Sequence, residues 1–211
     1  MHAPEQNAGE QLAAAAADLR EVIERVAAEQ GATLERMSAG CASALEIGNK
    51  ILLVGNGGSA AQCQHLATEL VCRFTTDRVP YAALALTTDT SFLTACANDY
   101  AFADIFARQI EALGRPGDVL IALSTSGGSP NILRAVAAAH DRRLATYGLT
   151  GADGHALAAA CDTAILVPHT DPARIQEAHL FLCHLLCGAI EARLGGFREP
   201  HRPTETGSSE E

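Results

Sequence analysis

The sequence holds a single lysine, Lys50, against 14 arginines. A Walker-type nucleotide loop needs a lysine directly after its glycines, so that loop is excluded. Lys50 precedes the first apolar run and is the only residue available for a Schiff base. Long apolar runs are also missing, which leaves no candidate membrane-spanning helix and no expected membrane partner. The amino terminus lacks a basic patch followed by an apolar run, and a secretory leader is not expected. The seven cysteines include no CxxC pair. Most fall inside apolar patterns, Cys183 and Cys187 one helical turn apart among them, so buried reduced thiols in a cytoplasmic protein are expected. Positive charge is scarce too. A formal net charge of −10 argues against nucleic acid as a partner, although local donors can still hold a small anion.

What is present is enough for one sizeable core: 211 residues, 48% of them hydrophobic. Two glycine-serine loops carry the most information, Gly55-Asn56-Gly57-Gly58-Ser59 and Ser124-Thr125-Ser126-Gly127-Gly128-Ser129. Each follows a short apolar run, residues 51–54 and 119–123, and each is followed by a helical pattern. Strand, small-residue turn and helix together aim free backbone N–H groups and a positive helix end at an anion. The serine and threonine hydroxyls add donors without bulk. One such loop is common turn chemistry; two in one domain point to a phosphate site.

The remaining pattern alternates strands with helices. Residues 10–48 read as one or two amphipathic helices. Strands are expected over 51–54, 81–86, 119–123, 144–149 and 164–167. Helices are expected over 59–72, around Ser91, over 102–113 and 130–140, near His155, and over 173–194, the last capped by Asp171 with Pro172 in its first turn. This is an α/β fold, a doubly wound five-stranded parallel sheet of the flavodoxin-like kind with N-terminal helices. In the order 2-1-3-4-5 the first and third strands are neighbours, and both loops open into one crevice. A flexible N-terminus over 1–9, one domain over 10–196 and a disordered tail over 197–211 complete the expected organisation.

Several polar residues could do chemistry. His65 and Glu69, four apart, share a helix face, which suits a metal or an oriented base but equally an exposed i,i+4 pair. Arg73 continues that face and could reach an anion or remain an ordinary surface cation. On the last helix, Gln176 and His184 point within roughly 80° of each other but lie about 12 Å apart along the axis. Gln176 and His179 are closer, so periodicity does not choose between the two histidines. Asp89 and Asp99 read first as turn or cap residues.

Taken in order, Asn56-Gly57-Gly58-Ser59, Gln64-His65-x3-Glu69, Leu84-Ala85-Leu86-Thr87-Thr88-Asp89-Thr90-Ser91, Asn98-Asp99-Tyr100, Gly117-Asp118-Val119-Leu120, Ser124-Thr125-Ser126-Gly127 and Ala173-Arg174-Ile175-Gln176-Glu177-Ala178-His179 resemble a sugar isomerase (SIS) domain. The resemblance is closest to the phosphoheptose isomerases and runs from about residue 10 to 194. It implies a cytoplasmic homotetramer with active sites at subunit interfaces, converting sedoheptulose 7-phosphate into D-glycero-D-manno-heptose 7-phosphate. It also implies phosphate binding by Ser59, Ser124, Thr125, Ser126 and Ser129, with Gly57 and Gly58 in the loop. Further substrate contacts are implied for Asn56, Arg73, Asp99 and Gln176. Glu69 and His184 become the acid/base pair, and one zinc ion per subunit falls to His65, Glu69, Gln176 and His184. The resemblance thus prefers His184 over His179. A glutamate held tightly by zinc is a poorer base, so the two roles of Glu69 require loose coordination or ligand exchange. One departure is visible: Gly128 stands where the family commonly has asparagine.

An aldose–ketose interconversion moves a proton between C1 and C2 through a cis-enediol, and Glu69 is the candidate base at carbon, His184 the acid at oxygen. Two other readings share the loops: isomerisation of another sugar phosphate, and a non-catalytic SIS protein binding a sugar phosphate or a replication initiator. Proteins of the non-catalytic kind typically lack the glutamate and the late histidine, and Glu69 and His184 are the features that favour the enzyme.

Overall fold

The computed structural model describes residues 7–195. The tail expected over 197–211 and most of the expected flexible N-terminus lie outside the described residues. The first helix starts earlier than the apolar pattern suggested. Asn7 caps α1 (Ala8–Glu46): its side chain accepts from the Glu10 N–H at 3.0 Å, and Glu10 reaches back to the Asn7 N–H at 3.3 Å. That reciprocal cap satisfies two orphan donors and begins one unbroken 39-residue helix, not two.

Five parallel strands follow, β1 (Ile51–Gly55), β2 (Ala83–Ala85), β3 (Val119–Ser124), β4 (Ala145–Gly151) and β5 (Thr163–Val167), in the spatial order β2-β1-β3-β4-β5. The helices between them are α2 (Gly57–Val71), α3 (Thr90–Asp99), α4 (Ala107–Leu113), α5 (Pro130–Asp141), α6 (His155–Ala160) and α7 (Pro172–Leu194). Side-chain alternation along each strand divides the core in two. Ile51, Leu53, Val119, Ile121 and Leu123 pack with α1, α2 and α7. Leu52, Val54, Leu120 and Ala122 pack with α3, α4 and α5 on the other face.

Two elements depart from the sequence reading. β2 is three residues long, because it sits at the sheet edge with β1 as its one partner, and the Tyr81 N–H bonds the Leu70 carbonyl of α2 instead of a strand. The single helix expected over 102–113 is a 3-10 turn (Phe102–Asp104) followed by α4; between them the chain turns inward to bury Ile105 and Phe106. The start of α7 is as read, with the Asp171 side chain accepting from the Ala173 N–H and Pro172 in the first turn.

Lys50 lies at the amino ends of the strands. Its ammonium meets the Asp118 carboxylate at 2.5 Å, while the same carboxylate accepts from the backbone N–H groups of Lys50 (3.0 Å) and Arg115 (2.8 Å). Asp118 is 1% exposed, so this group joins the starts of β1 and β3 under near-complete burial. The only lysine is thereby held at the end of the sheet opposite both loops. Replacing Asp118 with alanine leaves buried donors unpaired and is expected to cost about 2–4 kcal/mol. Thermal unfolding should fall by roughly 5–10 °C, with the kinetic constants of the folded fraction unchanged.

Candidate active site

β1 and β3 pair along their length, with Gly55 opposite Leu123, so the two glycine-serine loops leave adjacent strands at the carboxyl edge of the sheet. A reciprocal amide pair ties them together: Asn56 donates to Asn131 at 2.9 Å and Asn131 donates back to Asn56 at 2.8 Å. Asn131 stands in the first turn of α5 and is buried. Gly55 is required by packing, since a Cβ there would lie 2.8 Å from the Ser59 backbone. Ser59 itself is 3% exposed, in the first turn of α2.

The second loop folds on its own hydroxyls. Ser124 accepts from the Gly127 N–H at 3.1 Å and lies 3.5 Å from the Ser129 hydroxyl; Ser126 accepts from the Gly128 N–H at 3.4 Å. Gly127 has φ +63°, and a Cβ there would lie 2.4 Å from Gly154, so glycine is obligatory on two counts. Gly128 is different. A Cβ there meets only the Ser126 carbonyl, at 4.0 Å, so a side chain at this position would have room. Neither Asn56 nor Ser129 caps its own helix with its side chain. The amino ends of α2 and α5 therefore converge on one crevice with hydroxyls around them, the arrangement that holds a phosphate.

The second half of the site comes from two helices lying side by side in the same direction. Gln62 of α2 donates to the Gln176 carbonyl of α7 at 2.6 Å, and Gly58 packs so closely on the Gln176 amide that a Cβ would lie 2.6 Å from its Oε1. Further along, the Nε2 atoms of His65 and His184 approach to 2.8 Å, with their rings edge to face. The Glu69 carboxylate lies 3.6 Å from His65 Nε2. The Phe74 ring stacks on His184, centroids 5.8 Å apart. The geometry separates the two histidines that periodicity could not. His179 is fully buried, and burial drives its pKa down to about 4, opposed only weakly by the backbone of Thr150; neither ring nitrogen has a hydrogen-bond partner among the described residues.

The model of the SIS domain family matches residues 16–151. The phosphoheptose isomerase of Paramagnetospirillum magneticum is 54% identical over 158 residues, spanning 75% of this chain and 82% of that protein. That of Thiobacillus denitrificans is 53% identical, spanning 81% and 85%. The chain belongs to the phosphoheptose isomerase family. Among solved structures, the phosphoheptose isomerase GmhA of Neisseria gonorrhoeae superposes with a TM-score of 0.84 at 41% identity, over 88% of this chain and all of that one. The Francisella tularensis enzyme gives 0.85 at 35% identity, over 89% of this chain and all of that one.

The sequence-derived candidates fall into three groups. Asn56, Gly57, Gly58, Ser59, Ser124, Thr125, Ser126 and Ser129 meet at the crevice formed by β1 and β3. His65, Glu69 and His184 meet between α2 and α7. Gln176 lies level with Gly58, two helical turns before His184, so it joins the loop end of the site more closely than the histidine end. Arg73 and Asp99 stand apart: both are exposed, and Asp99 accepts only from its neighbour Asn98. Among the described residues, no three His, Cys, Asp or Glu side chains form a ready metal site as they stand. The donor chemistry nonetheless suits zinc, with two imidazole nitrogens and a carboxylate converging. A zinc ion held there would take the place of the hydrogen bond between His65 and His184.

Sequence reasoning missed Asn131, Phe74, Arg78 and Glu191. Glu191 carried a usable signal, since it falls on the buried stripe of α7 among Cys187 and Ile190. Asn131 and Phe74 carried none that separated them from ordinary helix-start and loop residues.

The burial of His179 sets a pH dependence. Its pKa falls from 6.5 in the unfolded chain to about 4 in the fold, so the unfolded state binds the extra proton between those values. Its contribution to stability is complete above pH 6.5 and is lost as the pH falls toward 4. Urea unfolding at pH 7 and pH 4.5 should show this loss in the wild type and a flatter profile in His179→Gln.

Proposed function

We propose that the chain interconverts sedoheptulose 7-phosphate and D-glycero-D-manno-heptose 7-phosphate by proton transfer through a cis-enediol. The observation that carries the reading is the placement of a carboxylate and two imidazoles, Glu69, His65 and His184, beside a crevice lined by two hydroxyl-rich loops. Membership in the phosphoheptose isomerase family, at about half-identity over most of the chain, supports the same substrate.

In this scheme the hydroxyls of Ser59, Ser124, Thr125, Ser126 and Ser129 and the amino ends of α2 and α5 bind the 7-phosphate and hold the far end of the sugar still. Fixing the sugar in a reactive pose contributes several kcal/mol to lowering the barrier. Glu69 removes the proton from C1 of the ketose while His184 supplies one to the C2 oxygen. The enediol then loses its O1 proton and gains one at C2, which yields the aldose. His65, within hydrogen-bond reach of His184, fixes the orientation of that ring. Arg73, free of hydrogen bonds and ion pairs among the described residues, and Gln176 serve as further polar contacts to the sugar. The position of Lys50 supports proton transfer over a Schiff base, because its ammonium is engaged by Asp118 at the opposite end of the sheet.

His65, Glu69 and His184, with Gln176 from the loop end, would hold a zinc ion. Zinc bound there would polarise the substrate carbonyl and stabilise the enediolate.

Assembly into a homotetramer is part of the proposal. Phe181 and Leu185, flanking His184 on α7, and Val71 and Leu84 on the α2–β2 side are large apolar residues left exposed. Cytoplasmic residence is part of the same proposal.

Proton NMR with sedoheptulose 7-phosphate in D2O should show an aldoheptose 7-phosphate appearing, deuterated at the exchanged carbon. Conversion lost on chelation and restored by zinc makes the metal functional. Glu69→Gln and His184→Gln are each expected to keep the fold and lower kcat by a factor of about 10²–10⁴. Substantial turnover in either variant removes its assigned role, and no conversion by the folded, zinc-loaded wild type shifts the substrate to another sugar phosphate. Phe181→Asp with Leu185→Asp should shift the assembled mass measured by light scattering toward the monomer.

A further inference from the structure

The proton-transfer scheme leaves one buried charged group unused. Arg78 and Glu191 form an ion pair at 2.8 Å with side chains 1% and 5% exposed. The carboxylate is saturated. It accepts from Arg78 Nε, from the backbone N–H groups of Phe74 (3.1 Å) and Thr75 (3.2 Å), and from the hydroxyls of Thr75 (2.8 Å) and Thr76 (3.2 Å). Burial works to raise the pKa of Glu191, but these donors hold it down at about 2, so the group is ionised throughout the working range. The rest of the guanidinium is equally engaged. It donates to the carbonyls of Leu70 (2.9 Å), Val79 (3.1 Å) and Glu69 (2.8 Å), and lies over the Tyr81 ring.

Two of these bonds end on pieces of the site, the Glu69 carbonyl and the Phe74 N–H. Arg78 binds the last carbonyls of α2, including that of Glu69 itself. Glu191 lies seven residues after His184 on α7, hence on nearly the same face and about 10.5 Å further on. From there it holds the N–H of Phe74, whose ring stacks on His184. Arg73 precedes Phe74 and is carried with it. A buried ion pair is a poor source of stability compared with apolar residues of the same volume, because desolvation offsets its attraction. A fully satisfied polar network does fix a unique arrangement.

We propose that the Arg78–Glu191 pair is a positioning clamp for catalysis, setting the end of α2 that carries Glu69 against the ring of His184 through Phe74. The inference rests on Glu69 and His184 being the acid/base pair.

The test compares Glu191→Gln, Glu191→Asp and Phe74→Leu with His184→Gln as a control, recording kcat, KM for sedoheptulose 7-phosphate and the melting temperature. Glu191→Gln and Phe74→Leu are expected to lower kcat at least about tenfold with KM within about threefold, since the phosphate loops are untouched. Glu191→Asp, which keeps the carboxylate, should recover part of the rate. Normal kcat in folded Glu191→Gln and Phe74→Leu, beside an inactive His184→Gln, overturns the clamp alone. A fully active His184→Gln overturns the acid/base reading and the clamp with it. If Glu191→Gln fails to fold, Phe74→Leu decides, because it cuts the link to His184 and leaves the ion pair in place.

Discussion

A parallel sheet covered by helices on both faces leaves only its strand ends open to solvent, and the pairing of β1 with β3 decides what those ends can do. The chain leaves β1 toward one edge of the sheet and returns to build β3 on its other side. The two helices that follow, α2 and α5, therefore start from neighbouring strands on opposite faces of the sheet, with both amino ends at one crevice. The Asn56–Asn131 amide pair holds that spacing, since each amide satisfies the other across the crevice. Without this adjacency the two serine loops would be two separate turns.

The chemistry divides along the same line. In the proposed scheme loops and helix ends handle the phosphate with backbone groups and hydroxyls, whose placement follows from glycine at positions such as Gly55 and Gly127. The same proposal leaves proton transfer to side chains on α2 and α7, helices packed on the core through Leu66, Leu70, Leu182 and Leu186. Binding energy from one end of the substrate can then orient the reacting carbons at the other. The buried polar groups serve this division. Asp118 fixes the strand starts and keeps the lysine away from the site, and Glu191 joins the end of α2 to α7. Both are saturated with donors, as buried carboxylates must be to remain charged.

The sequence made the five strands, their order and the two serine loops legible, because apolar runs, small-residue turns and helix starts are local signals. The motif Gln64-His65-x3-Glu69 also gave its helical pairing, since four residues is one turn. Less of the His184 side was readable. Periodicity left Gln176, His179 and His184 equivalent on one helix, and the resemblance to phosphoheptose isomerases, not the residues alone, favoured His184. The short β2 and the break between Asp104 and Ala107 were misjudged, because edge pairing and the inward turn of Ile105 and Phe106 depend on neighbours distant in the chain.

Sequence by itself determined most of the elements, the two serine loops and the presence of a single lysine. Tertiary structure decided which of these residues meet. It set His184 at 2.8 Å from His65, left Gln176 level with Gly58, and buried His179 away from both. It also recruited Asn131, Phe74, Arg78 and Glu191, which no local pattern marks as a set. The reason is physical: a turn or a helix face is fixed by bonds within a few residues. The spacing between α2 and α7 is instead set by packing and buried hydrogen bonds between segments more than a hundred residues apart.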